Sequence, residues 1–152
     1  MKTYLIILLF PFLMQQQNNY QIDFGEEKKG LYWSVVNDGV MGGLSRGRKK
    51  LTKNSLLFKG NVSLDNNGGF SSLRRSFSEF DISNFEYVEI KYRSSGISLA
   101  LTFAVSRRWY VPNYKVSLDE TSSKWKTVTI KLTGLRKYYI GKAMNEKLKK
   151  KL

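Results

Sequence analysis

Glu86-Tyr87-Val88-Glu89-Ile90-Lys91-Tyr92-Arg93-Ser94-Ser95-Gly96-Ile97-Ser98-Leu99-Ala100-Leu101-Thr102-Phe103-Ala104-Val105 decides the fold class. On one side of the Ser-Ser-Gly break, Val88, Ile90 and Tyr92 share a face opposite Glu89, Lys91 and Arg93. On the other side, Ile97, Leu99, Leu101, Phe103 and Val105 alternate with small residues. Only an extended chain puts every second side chain on one face, so both segments read as half-buried strands. Lys126 to Leu132 repeats the pattern, with Val128, Ile130 and Leu132 facing inward.

Working outward, short extended segments alternate with Gly, Asn and Ser clusters. Asn66-Asn67-Gly68-Gly69, between Val62-Ser63-Leu64 and Phe70-Ser71-Ser72-Leu73, carries the residues of a hairpin turn, because Asn and Gly tolerate positive φ. Asn37-Asp38-Gly39 is a second turn of this kind. Helical periodicity is absent until 142–152, a short and very basic run. The expected architecture is all-β, an antiparallel β-sandwich or jelly roll occupying residues 20–141, followed by a basic tail at 142–152.

Composition narrows the chemistry. The 152 residues suffice for one core, and 41% apolar with 14% aromatic residues supports a packed body. The chain has neither cysteine nor histidine, which excludes disulfides, thiolate chemistry, Cys/His zinc sites and any Ser-His-Asp triad. Gly43-Leu44-Ser45-Arg46-Gly47 matches the spacing of a nucleophile elbow, but no histidine exists to take the serine proton. A paired-acid glycosidase would need two carboxylates across a cleft, and only Asp38 sits in a motif-dense segment.

The formal charge is +14, of which +4 lies in the last 11 residues and +1 at Lys2. The remaining +9 is distributed over the body, as on a solvated basic surface. Arg46-Gly47-Arg48-Lys49-Lys50 reads as a compact basic loop, but no RNA-binding signature accompanies it, and no nucleic-acid partner is expected. At the N-terminus, Lys2 precedes the 11-residue apolar run Tyr4 to Met14 and then Gln15-Gln16-Gln17-Asn18-Asn19. A spanning helix needs roughly 20 apolar residues, so residues 1–19 read as a secretory signal peptide rather than a membrane span. The expected location is periplasmic or secreted.

The densest motifs are Trp33-Ser34-Val35-Val36-Asn37-Asp38-Gly39-Val40-Met41-Gly42-Gly43-Leu44-Ser45, then Phe58-Lys59-Gly60-Asn61-Val62-Ser63-Leu64, then Asn66-Asn67-Gly68-Gly69-Phe70-Ser71-Ser72-Leu73-Arg74. Together they resemble the complex I intermediate-associated protein family. Phe80-Asp81-Ile82-Ser83-Asn84-Phe85 and Trp125-Lys126-Thr127-Val128 fit it as well, so the likeness runs from Leu31 to Gly141. The resemblance implies a galactose-binding-like jelly roll and a non-catalytic, chaperone-like assembly factor acting on a protein partner. It also implies two departures. Ser94-Ser95-Gly96 replaces a Gly-Asp-Gly turn, and the pattern continues past Gly141 where this chain has a lysine run, so a frame missing its C-terminal strand or strands is expected.

The binding candidates are Trp33, Asn37, Asp38, Met41, Ser45, Arg74, Arg93, Trp109 and Tyr110, with no catalytic residue, metal ligand or cofactor expected. Asp38 is placed to accept backbone hydrogen bonds or to pair with Arg74. These residues either lock loops onto the sandwich or build a partner surface. The alternative function is a carbohydrate-binding module, in which Tyr92, Trp109, Tyr110 and Tyr114 would stack on sugar rings beside Arg93 or Arg107. A sugar binder presents aromatics on one sheet face, whereas a protein binder presents an apolar patch beside the glycine-rich loops.

Overall fold

The computed structural model describes residues 19–25, 32–108, 110–140 and 142–147. Residues 1–18 of the expected signal segment and Trp109 lie outside the described residues. Among the described residues no helix is long and apolar enough to cross a membrane.

The described strands are β1 (Trp33–Asn37), β2 (Arg46–Thr52), β3 (Ser55–Asn61), β4 (Ser71–Arg75), β5 (Tyr87–Tyr92), β6 (Leu99–Ala104), β7 (Asn113–Leu118), β8 (Lys126–Lys131), β9 (Arg136–Tyr139) and β10 (Lys142–Lys147). All their ladders are antiparallel: β1 with β4, β2 with β3, β5 with β8, and a four-stranded sheet in the order β10-β9-β7-β6. The fold is the all-β sandwich that the alternation predicts.

The inward faces are the predicted ones. Val88 stands opposite Ile130 and Ile90 opposite Val128, so one apolar face belongs to the β5–β8 pair. Leu99 pairs with Leu118, Leu101 with Val116 and Phe103 with Tyr114, which gives the β6–β7 ladder a matching face. The two pack together around Tyr92, Tyr114, Leu118, Ile130, Leu132 and Leu135, with Leu135 fully buried. Ile97 and Val105, expected on the same face, are exposed because β6 begins at Leu99 and ends at Ala104.

Two connections pass between different strand pairs rather than closing a hairpin. Ser94-Ser95-Gly96 links β5 to β6 in the chain, yet these strands pair with β8 and β7, so the turn crosses between layers. It is anchored to the segment before β8: Ser94 N–H donates to Thr121 Oγ1 at 2.8 Å and Gly96 N–H to Glu120 Oε1 at 2.7 Å. Asn66 and Asn67 do adopt positive φ, 53° and 57°, but no hairpin forms there. Residues 65–67 make a single 3-10 turn, and β3 and β4 pair with different partners. The amides of Gly69 and Phe70, which a hairpin ladder would use, are instead donated to the Asp38 carboxylate.

The expected basic loop at 46–50 is strand β2. Its turn is closed by Ser55 N–H donating to Thr52 Oγ1 at 3.0 Å. The basic tail likewise begins as a strand, since β10 pairs with β9 through Lys142–Tyr139 and Ala143–Tyr138. Pairing with an open neighbouring edge outweighs the weak helical period of so short a segment.

Candidate functional site

Asn37 and Asp38 stand where β1 ends and a 3-10 turn, Asp38–Met41, begins. Consecutive residues of a strand point to opposite sides, so the two side chains reach different parts of the molecule. Asn37 Oδ1 accepts from Gly47 N–H at 2.9 Å and from Ser71 Oγ at 2.7 Å, tying the end of β1 to β2 and β4. Gly47 has no room for a side chain: a Cβ would collide with Ser71 Oγ and sit 3.0 Å from Asn37 Oδ1 and from the Phe58 ring.

Asp38 is fully buried. Its Oδ1 accepts Ser45 N–H at 2.9 Å, and its Oδ2 accepts Ser45 Oγ–H at 2.5 Å, Gly69 N–H at 2.7 Å and Phe70 N–H at 3.3 Å. Backbone bonds from Asp38 N–H to Phe70 O and from Gly43 N–H to Asp38 O close the arrangement. Ser45 is equally buried, and its Oγ accepts Ser63 N–H at 3.1 Å. Gly43 packs so closely that a Cβ would lie 2.6 Å from Asp38 Oδ1.

Burial pushes the Asp38 carboxyl up. The Ser45 hydroxyl and the amides of Gly69, Phe70 and Ser45 together outweigh it, and hold the group at about 2. Neutral donors that engage both oxygens stabilise a buried carboxylate without a counter-ion. Arg74, expected as an ion-pair partner, plays no part: its Nε donates to Ser72 Oγ at 2.8 Å and its guanidinium lies 5.9 Å from the centre of the Phe70 ring. Both oxygens are engaged by neutral donors, Oδ1 by one and Oδ2 by three, and no cation is among them. Among the described residues no three carboxylates gather elsewhere. Ser45 is no nucleophile elbow either, because its hydroxyl is buried, spent on Asp38, and followed by a strand rather than a helix.

The loops that Asp38 ties together present a different chemistry outward. Val40 is 78% exposed, Met41 64%, Leu44 48% and Leu64 82%. Val40 and Met41 follow Asp38 in the 3-10 turn, Leu44 precedes Ser45, and Leu64 follows Ser63, whose amide Ser45 holds. A single buried carboxylate therefore ties together the loops that carry these four exposed apolar side chains. Of these the sequence reading singled out Met41 alone. The signal for the others was present in the apolar residues interleaved with Gly42, Gly43 and Ser63, but a turn's side chains have no periodicity that tells core from surface.

The remaining candidates fall elsewhere. Trp33 opens β1, half-buried, with its ring 5.2 Å from that of Phe24. The Arg93 guanidinium lies 5.1 Å from the centre of the exposed Trp125 ring. Tyr110 is exposed between β6 and β7. Tyr92 and Tyr114 belong to the core, and the Tyr92 hydroxyl donates to Asp119 O at 2.8 Å, so neither offers a ring face to a sugar. Arg107 stacks over Phe77 at 5.4 Å.

Comparison with known proteins agrees with the three linked motifs. The family model for complex I intermediate-associated protein 30 matches residues 22–151, taking in the Asp38 loops, the core strands and the β9–β10 ladder. Comparisons with curated proteins and with solved structures return no match. Because the match covers most of its length, the chain belongs to the complex I intermediate-associated protein 30 family.

Proposed function

We propose that this chain is an exported, non-catalytic module that acts by binding a protein partner through the loops organised by Asp38. One observation carries the reading: Val40, Met41, Leu44 and Leu64 are each exposed on loops that buried hydrogen bonds tie to one another. Aliphatic groups lose by standing in water, and several of them on a preorganised scaffold gain by being covered. Preorganisation also lowers the ordering cost of association. The family's name points the same way, toward association with an assembly intermediate.

Photo-crosslinking side chains placed at Val40 and Leu64, with exposed Tyr139 as the control position, test the proposal in the native envelope. The expected outcome is one discrete protein adduct at the first two positions and none at Tyr139. Equal labelling at all three positions would remove the loop surface as the binding site. The carbohydrate reading keeps the exposed aromatics Tyr110 and Trp125 as its support. A rise in melting temperature with one class of soluble glycan, lost on changing Trp125 to Ala, would place it ahead.

A further inference from the structure

Between Asp38 and Asp65 the chain has no carboxylate and six cations: Arg46, Arg48, Lys49, Lys50, Lys53 and Lys59. The β2–β3 register sorts them. Arg46 faces Asn61, Arg48 faces Lys59, and Lys50 faces Leu57, so Arg46, Arg48, Lys50 and Lys59 share one face of the ribbon. All four are exposed, and so is Leu57 among them. The opposite face carries Gly47, Leu51, Leu56 and Phe58 toward β1 and β4. There Lys49 is turned to the carbonyl of Trp33.

Arg48 directly opposite Lys59 is a like-charge cross-strand pair, an arrangement that weakens a ladder. Nothing in the described structure offsets it. Among the described residues an ion pair joins Lys131 and Glu86 at 3.5 Å, away from this face, and Arg46 spends a guanidinium N–H on the Ser45 carbonyl. The face is a two-stranded surface whose cations recur about every 7 Å along β2. A peptide ligand would need a groove; among the described residues, two surface depressions lie away from this face, one lined by Tyr20, Trp33 and Arg75 and one by Lys115 and Arg136. A single-stranded nucleic acid would need stacking platforms, and no aromatic side chain shares this face. A plane of anionic headgroups needs neither. It matches four cations on one exposed face, and exposed Leu57 meets the acyl boundary without penalty.

The geometry points to the outer face of the β2–β3 ribbon as a docking surface for an anionic lipid bilayer. This goes beyond the protein-binding loops and uses different side chains. Each basic residue held at an anionic surface strengthens binding about fivefold, and the attraction falls with ionic strength.

The test is co-sedimentation of the full chain with vesicles of phosphatidylcholine alone and of phosphatidylcholine mixed with phosphatidylglycerol. The ratio of the two partition coefficients is the quantity read, because the apolar run Tyr4 to Met14 would attach to both vesicles alike. We expect a strong preference for the mixed vesicles that high salt removes. Arg48→Ala with Lys59→Ala should lower the ratio roughly 25-fold, two fivefold losses. The same variant should melt no lower than the wild type, since it removes a like-charge pair. Lys124→Ala with Lys126→Ala, an equal loss of charge at exposed positions outside the ribbon, should leave the ratio within about twofold. An equal loss in that control, or no preference for the mixed vesicles, would overturn the proposal. So would a single-stranded RNA homopolymer that abolishes vesicle binding while itself depending on Arg48 and Lys59. Inorganic phosphate that displaces the chain from the vesicles would reduce the site to a phosphate contact and overturn docking.

Discussion

Asp38 shows how one residue can organise a region without any counter-ion. Its carboxylate takes four donors from two loops, 31 and 32 residues away for the Gly69 and Phe70 amides and seven away for Ser45. All four are hydrogen donors, so an amide in its place would turn an NH2 group against an N–H or O–H. Asp38→Asn is therefore expected to lower the melting temperature by several degrees at neutral pH, with Asn37→Ala, which frees Gly47 N–H and Ser71 Oγ, showing a smaller loss. The pH dependence has a definite sign. The folded carboxyl titrates at about 2 against an ordinary 3.8, so its contribution is whole above pH 4 and is lost as pH falls toward 2. The gap in melting temperature between wild type and Asp38→Asn should accordingly close across that window, and a gap that stays constant to pH 2 would contradict the account of an ionised carboxylate held by neutral donors.

At the scale of the element, β2 is where sequence and structure differ most instructively. Its Arg-Gly-Arg-Lys-Lys opening lacks the apolar alternation that marks β5 and β6, and it reads as a loop. It becomes a strand because Gly47 admits Ser71 and Asn37 at close range and because Leu51 and Phe58 supply the buried side of the ribbon. Gly47→Ala forces a methyl group into Ser71 Oγ and the Phe58 ring. It should cost about 1–3 kcal/mol by urea denaturation, the range for overpacking a filled site. Gly134→Ala, with nothing within 4 Å of the added carbon, is the matched control and should change stability far less. A similar loss in both would mean that chain flexibility rather than close approach sets the cost. The strands whose faces were legible, β5, β6 and β8, are those with a wet side and a dry side; β2 carries charge on four of its seven residues, and its hydrophobic partner lies in β3.

For the whole molecule, stability is concentrated where the β5–β8 pair covers the β6–β7 face. Leu135, fully buried just after the 3-10 turn Leu132–Gly134, closes that layer. Leu135→Ala should cost about 2–5 kcal/mol, a large share of a marginal total, and should unfold the sandwich cooperatively in a thermal scan. Val40→Ser and Leu64→Ser, at the exposed loops, should leave the same scan nearly unchanged. The fold class, the inward faces of three strands and the family motifs were legible because a period of two and a fixed motif spacing are local properties of the chain. The partner of each strand was not. Ser94-Ser95-Gly96 looks like any tight turn, and only the packing of two apolar faces sends β5 to β8 and β6 to β7. Likewise Asp38 was legible as a hydrogen-bond acceptor, but not as one served by Ser45, Gly69 and Phe70, and Arg48 as a cation, but not as one facing Lys59. Alternation belongs to neighbours along the chain, so the sequence alone determined an all-β sandwich with these inward faces. Strand pairing, burial of a carboxylate and the clustering of like charges depend on residues brought together from afar, and only the tertiary structure decided them.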